Sequence, residues 1–224
     1  MSGPRDELAA AGARLAGLGL SPGSSGNLSV REGDRILITP TGADLAALDT
    51  GALSELSLDG TLLAGPRPSK EFPLHTAFYR RDPELTAVVH LHSRHAAAVS
   101  CLPAWSERSA IPPLTPYFVM RVGQTPLIPY AAPGDPAQAE LLEGLRFGFR
   151  AALLQNHGPV VAGTSMGAAA DGAVELEEVC ALRLLLGGGE QRLLEDGEIT
   201  ELTGRYGSPW DVAGTAGTVG AGAA

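Results

Sequence analysis

The chain has little cysteine, no long apolar run and no excess of positive charge, and each shortage removes a class of protein. Two cysteines in 224 residues, Cys101 and Cys180, cannot make a disulfide framework, and a domain of this length buries enough core to fold without one. Both sit among apolar neighbours and are expected to be buried core thiols. No stretch approaches the roughly 20 apolar residues of a membrane span. The opening MSGPRDELAA carries acidic residues where a signal peptide needs an apolar run. The expectations are no membrane partner and a cytoplasmic location. A formal net charge of -9 offers no positive footprint for nucleic acid. It leaves a small phosphorylated ligand open, because phosphate is held by local donors and not by overall charge.

What is present is an ordinary globular mixture, 44% hydrophobic and 18% charged, without internal repeats. Residues 6–20 predict an Ala/Leu-rich helix with Gly19 near its end. A Gly/Ser-rich loop follows, and LSV (28–30) and RILIT (35–39) predict a hairpin that Pro40-Thr41-Gly42 stops. Residues 52–64 predict another strand pair, turning at Asp59-Gly60. A helix is expected over 71–81, a strand over 86–92 and a short helix over 93–101. The proline-rich stretch 103–134 predicts loops and one buried strand. A helix over 137–147 precedes two antiparallel strands, 151–154 and 160–162, that bracket a Gln-Asn-His-Gly turn. The longest helix, 165–187, has Ala169, Ala173, Leu176, Cys180 and Leu184 on one face and Asp171, Glu175 and Glu178 on another. A last short helix is expected over 195–206. The pattern describes one α/β domain over 1–212 and a Gly/Ala-rich tail, 213–224, expected to be disordered.

Five histidines carry the chemistry: 75, 90, 92, 95 and 157. His90 and His92 are two apart in a strand, so both imidazoles share one face and reach one ion at about 2.0–2.1 Å. An isolated His-x-His fits equally a pair with one ring in a polar core and the other in solvent. His157, in a tight turn between apolar strands, shifts the balance toward a metal. Three neutral imidazoles leave a coordination position open, the pattern of a catalytic ion. Pro68-Ser69-Lys70-Glu71 could set a hydroxyl, an ammonium and a carboxylate at a helix start, suited to an anionic substrate. His75 reads as a structural or supporting residue, and His95 as a support for His92 rather than a ligand.

SGNLSV (25–30), ITPTG (38–42), PSKE (68–71), AVVHLHS (87–93) and LLQNHGPVVAG (153–163) together resemble the class II aldolase/adducin family. The resemblance spans nearly the whole chain except its tail. It implies a single-domain, three-layer α/β fold with a central, mostly antiparallel sheet and helices on both faces. It implies zinc on His90, His92 and His157, and Glu71 as the acid/base that also touches the metal before substrate arrives. Gly26, Asn27, Thr41, Gly42 and Ser69 match positions that hold a substrate phosphate. Family members are usually homotetramers with sites at subunit interfaces, where a neighbour's tyrosine completes the site. Tyr117 is the candidate, although its spacing is longer than the family's.

Aldolases of the fuculose type carry two serines before the glutamate, whereas this chain has Ser69-Lys70-Glu71. With TPYFVMRVG (115–123) and PY..PGDP (129–136), the SKE triplet looks most like the branch of 3-oxo-tetronate 4-phosphate decarboxylases. The implied reaction is a zinc-dependent carbon–carbon cleavage of a phosphorylated sugar acid. Carbon dioxide leaves, a metal-bound enediolate remains, and its protonation yields dihydroxyacetone phosphate. An aldolase of the L-fuculose-phosphate type reaches the same enediolate by releasing an aldehyde. A non-catalytic, adducin-like binding module is the third reading. Lys70, with Arg121 behind it, is the cation expected to meet the departing carboxylate. Manganese or cobalt would also suit three histidines.

Overall fold

The computed structural model describes residues 3–212, and the tail expected to be disordered lies outside the described residues. The first helix, α1 (Pro4–Gly17), starts on a proline in its first turn and closes where Gly19 takes φ 76 and Leu20 N–H reaches back to Leu15 O. Two hairpins follow: β1 (Asn27–Glu32) with β2 (Arg35–Ile38), and β3 (Ser54–Ser57) with β4 (Leu62–Ala64). Their turns fall at Gly33 and at Asp59-Gly60, the latter held by Asp59 accepting from Ser57 and Thr61.

Helix α2 (Phe72–Arg81) leads into β5 (Ala87–His90) and the short α3 (Arg94–Val99). Helix α5 (Pro136–Gly144) precedes the hairpin of β7 (Ala151–Leu154) and β8 (Gly158–Gly163), and the chain ends in α6 (Met166–Leu186) and α7 (Asp196–Tyr206). The proline-rich stretch contains the expected strand, β6 (Leu127–Ile128), and also a helix, α4 (Pro116–Arg121), where the prolines predict loop. Pro116 starts this helix rather than breaking it, because Thr115 caps it by accepting from Phe118 N–H at 3.2 Å.

The strands form one sheet ordered β4-β3-β2-β1-β5-β8-β7-β6, antiparallel throughout except for β6 beside β7. Its central strand β5 is buried at every position and separates two apolar layers. On one face Leu28, Val89, Leu91 and Val161 pack under α1, α3, α4 and α6. On the other Ile36, Val88, Ala152 and Val160 pack under α2 and α5. Alternate residues serve opposite layers, as the period of a strand demands. The three-layer architecture expected from the resemblance is the one observed.

Two details depart from the sequence expectations. Cys180 is buried, but Cys101 is exposed, just past the end of α3, its Sγ–H directed at Ala97 O. On α6 the expected face is buried up to Cys180, while Leu184 near its end is only partly covered. Among the described residues no helix is long and apolar enough to cross a membrane.

Phe78 anchors α2, fully buried and edge-on to Phe149 at 5.8 Å between centroids. Phe78→Ala is expected to cost about 3–5 kcal/mol in denaturant unfolding. A loss under about 1 kcal/mol would contradict the packing of this layer.

Candidate metal centre

The site is built at the end of β5, where its neighbours come unusually close. Gly26, just before β1, has φ 86, and a Cβ there would lie 2.9 Å from His90 O. On the other side a Cβ on Gly158 would lie 2.4 Å from Leu91 O. Glycine on both flanks lets two backbones press against His90–Leu91. His90 lies opposite Asn27 on β1 and Val160 on β8, and its Nδ1 bonds Pro159 O at 2.8 Å. That bond fixes Nδ1 as the protonated nitrogen and turns Nε2 inward.

His157 arrives on the β7–β8 turn. Asn156 takes φ 57, which asparagine tolerates, and the turn docks on Ser100 through Asn156 N–H to Ser100 O and His157 N–H to Ser100 Oγ, both 3.2 Å. Glu71 stands at the N-terminal cap of α2. The segment before it is tied to the loop after β2: Ser69 N–H donates to Thr39 O, Thr41 N–H to Arg67 O, and Thr41 Oγ1 to Pro68 O.

Four side chains converge. His90 Nε2 and His92 Nε2 are 3.2 Å apart, and His157 Nε2 and His92 Nε2 3.0 Å. Glu71 Oε2 is 3.4 Å from His90 Nε2, and Oε1 is 3.3 Å from His157 Nε2. Ligands about 2.0–2.1 Å from one tetrahedral ion stand about 3.3–3.4 Å from each other, so this cluster has the dimensions of a metal cage. Glu71 Oε1 and His157 Nδ1 are buried without hydrogen-bond partners, and an ion would satisfy the first. The residues present can hold a divalent ion.

The electrostatics agree. Burial pushes His90 down to about 4, against the pull of Glu71, and it pushes His92 and His157 below their ordinary value too. All three rings are therefore neutral at pH 7, the form that binds a metal. Burial acts to raise the Glu71 carboxyl, but in the acid range where it titrates the pull of His90, the Asn27 hydrogen bond and the pull of His157 and His92 outweigh it, leaving Glu71 below the usual carboxylate range.

The remaining sequence candidates fall into four groups. Asn27 borders Glu71, its side chain giving an amide N–H to Glu71 Oε2 at 2.9 Å, and Gly26 lies just before it against His90 O. Thr41, Gly42 and Ser69 occupy the two loops zipped together beside it, with Ser69 Oγ accepting from Glu71 N–H at 3.3 Å. Lys70 is exposed, immediately before Glu71 in the chain, with its stem against Gly134, and its charge acts to lower both His92 and His157. Tyr117 lies elsewhere, exposed on α4 with the Arg121 guanidinium over its ring. Arg121 lines a cavity of about 400 Å³ with Arg81, Arg150 and Gly163, at the opposite end of β8 from His157. Within one chain it does not stand behind Lys70.

His95 does not support His92. Its backbone N–H and Nδ1 both bond Glu177 Oε1 at 2.8 Å, while Glu177 Oε2 takes Ala96 N–H. Glu177 is buried on α6 and holds the start of the helix that follows His92. Sequence reasoning misses this residue, although an acid beside Leu176 on the apolar side of a helix is a signal. It also misses that Lys70 is the chain's only lysine, every other basic side chain of the Lys/Arg type being arginine.

A buried carboxylate and three neutral imidazoles at the end of a three-layer sheet define a divalent-metal centre. The chain belongs to the class II aldolase and adducin family, whose N-terminal domain pattern matches residues 6–184. It is 46% identical over 200 residues to the 3-oxo-tetronate 4-phosphate decarboxylase of Pectobacterium atrosepticum, covering 89% of this chain and 92% of that one. It is 32% identical over 194 residues to the L-fuculose phosphate aldolase of Haemophilus influenzae, covering 84% and 87%. Its fold superposes on the Klebsiella pneumoniae protein YgbL, whose reaction is left open among aldolase, epimerase and decarboxylase, with a TM-score of 0.84, 44% identity and coverage of 89% and 97%.

Two outcomes are expected. Purified protein should carry about one divalent ion per chain by elemental analysis, and His92→Ala should lose it; retention would contradict the cage. In chelator, the folded chain keeps His75 and His90 neutral down to about 3 and about 4, whereas unfolded histidines take up protons below about 6.5. The unfolded state then binds more protons, so Tm of the metal-free protein should fall as pH drops from about 6.5 toward 4. A flat Tm across that window would contradict the burial of these rings.

Proposed function

We propose that this chain is a zinc-dependent carboxy-lyase that converts 3-oxo-tetronate 4-phosphate to dihydroxyacetone phosphate and carbon dioxide. The observation that carries this reading is the Glu71/His90/His92/His157 cluster, with Lys70, the only lysine, next to Glu71 in sequence, in a chain 46% identical to a decarboxylase of that name. A zinc ion held by the three histidines supplies Lewis acidity for negative charge developing on a substrate oxygen.

The chain's own residues do the rest. In the loops carrying Gly26, Thr41, Gly42 and Ser69, the Gly26 and Gly42 backbone N–H groups and the Ser69 O–H are the donors offered to the phosphate, because Thr41 N–H and O–H and Ser69 N–H already bond Arg67, Pro68 and Thr39. Asn27 shares that position, but its amide is engaged by Glu71. The Lys70 ammonium pairs with the C1 carboxylate and orients the C1–C2 bond for cleavage. As that bond breaks, its electron pair passes to C2 and the C3 carbonyl, and carbon dioxide leaves. Loss of carbon dioxide from a carboxylate consumes one proton. Glu71, ionised at rest, takes it up from solvent and hands it to C2.

We propose further that the protein is a homotetramer in which Tyr117 of a neighbouring copy completes each site. Support comes from Tyr117, exposed at the start of α4, and from Leu182, Leu185 and Leu186, left uncovered at the end of α6.

Holoenzyme given 3-oxo-tetronate 4-phosphate should release carbon dioxide and dihydroxyacetone phosphate in equal amounts. Aldehyde release from L-fuculose 1-phosphate without decarboxylation would place the chain with the aldolases instead. Lys70→Met should cut decarboxylation by about 10²-fold or more while metal content holds. An unchanged rate would remove Lys70 from the mechanism.

A further inference from the structure

Behind Glu71 runs a chain of buried polar groups that the reaction as described does not use. Asn27 Nδ2 lies 2.9 Å from Glu71 Oε2, and Asn27 Oδ1 lies 2.5 Å from His75 Nε2. His75 Nδ1 lies 2.7 Å from Ser29 Oγ, which lies 2.6 Å from Tyr79 Oη. All five residues are buried, His75 and Ser29 completely.

The direction of every hydrogen bond follows from its first member. An ionised carboxylate only accepts, so Asn27 must present its N–H to Glu71 and its carbonyl to His75. That carbonyl needs a donor, so His75 carries its proton on Nε2. Nδ1 is then an acceptor, Ser29 O–H donates to it, and Ser29 Oγ accepts from Tyr79 O–H. Tyr79 Oη lies 3.1 Å from Ser29 O as well, so its proton has no acceptor outside Ser29. Burial pushes His75 down to about 3, which keeps the ring neutral and this polarity intact. The relay ends on Oε2 alone; Oε1 is buried and has no hydrogen bond.

We infer that Asn27 and His75 are positioning residues for Glu71, the relay pinning Oε2 as an acceptor so that Oε1, the oxygen facing the ion site, is the one that carries the transferred proton once substrate takes its place there. The inference rests on the reading of Glu71 as the acid/base group. It assigns the Asn27 side chain to the carboxylate, and His75 to the orientation of Asn27. A rotated Asn27 amide would set its carbonyl against Glu71 and force the carboxyl to hold a proton on the wrong oxygen.

The test combines kinetics of the holoenzyme with NMR of its histidines. His75→Leu should lower kcat by about 10–100-fold with KM and metal content unchanged. His75→Gln, whose amide N–H reaches the Nε2 position, should restore most of the loss. Ring ¹H–¹⁵N correlations should show His75 with the proton on Nε2 and a bare Nδ1. A His75→Leu enzyme with normal kcat, a His75→Gln enzyme as impaired as His75→Leu, or a proton on Nδ1 would each overturn the relay. If His75→Leu does not fold, the ring tautomer and His75→Gln decide. Glu71→Gln separates the two readings: if it stays active, the role of Glu71 itself fails. If it is inactive while both His75 variants behave as wild type, only the relay fails.

Discussion

A carboxylate in an apolar protein interior is costly unless the surroundings supply compensating charge or hydrogen bonds. Glu71, 5% exposed at the start of α2, imposes that demand on the centre of this molecule. Its two oxygens face two imidazoles and an amide, and those partners come from β1, β5 and the β7–β8 turn. The close approach of three backbones around His90, made possible by Gly26 and Gly158, is what brings these partners within reach. Removing the carboxylate's neighbours would leave an unpaired buried charge, and removing the carboxylate would leave three desolvated rings with nothing to balance an ion.

A second buried carboxylate acts in a parallel way nearby. Glu177 on α6 takes the first free N–H groups of α3 and thereby fixes the segment that begins immediately after His92. The two acids do different work. Glu177 acts through the free donors at a helix start, whereas Glu71 gives its carboxylate to Asn27 and the histidines, and each acid ties a ligand-bearing segment to an element distant in sequence.

Much of this was legible in the sequence, because it rests on local patterns. His90 and His92 converge as the strand period predicts, although the strand itself ends at His90 and not at the expected His92, and the Gln-Asn-His-Gly turn needs a residue that tolerates positive φ, which Asn156 supplies. Helix α4 was not legible, since its prolines read as loop until Thr115 is seen capping it. The relay behind Glu71 was half visible. Asn27 and Ser29 share a face of β1, and His75 and Tyr79 are one helical turn apart on α2, but only tertiary packing sets those two faces together. Cys101 misled for a related reason, as apolar neighbours in sequence do not cover a side chain that follows the last turn of a helix.

The strand order has a consequence for how the protein assembles. His90 and His92 lie in one short segment, so a chain that has not yet folded already offers two imidazoles to an ion. His157 reaches them only after the local β7–β8 hairpin has formed and then zipped onto β5, a pairing between segments far apart in sequence. Loop closure makes such pairings slow relative to hairpins and helices. Full coordination is therefore a late folding event, and a colorimetric metal probe in a refolding experiment would time the closure of the sheet's centre and not its initial collapse.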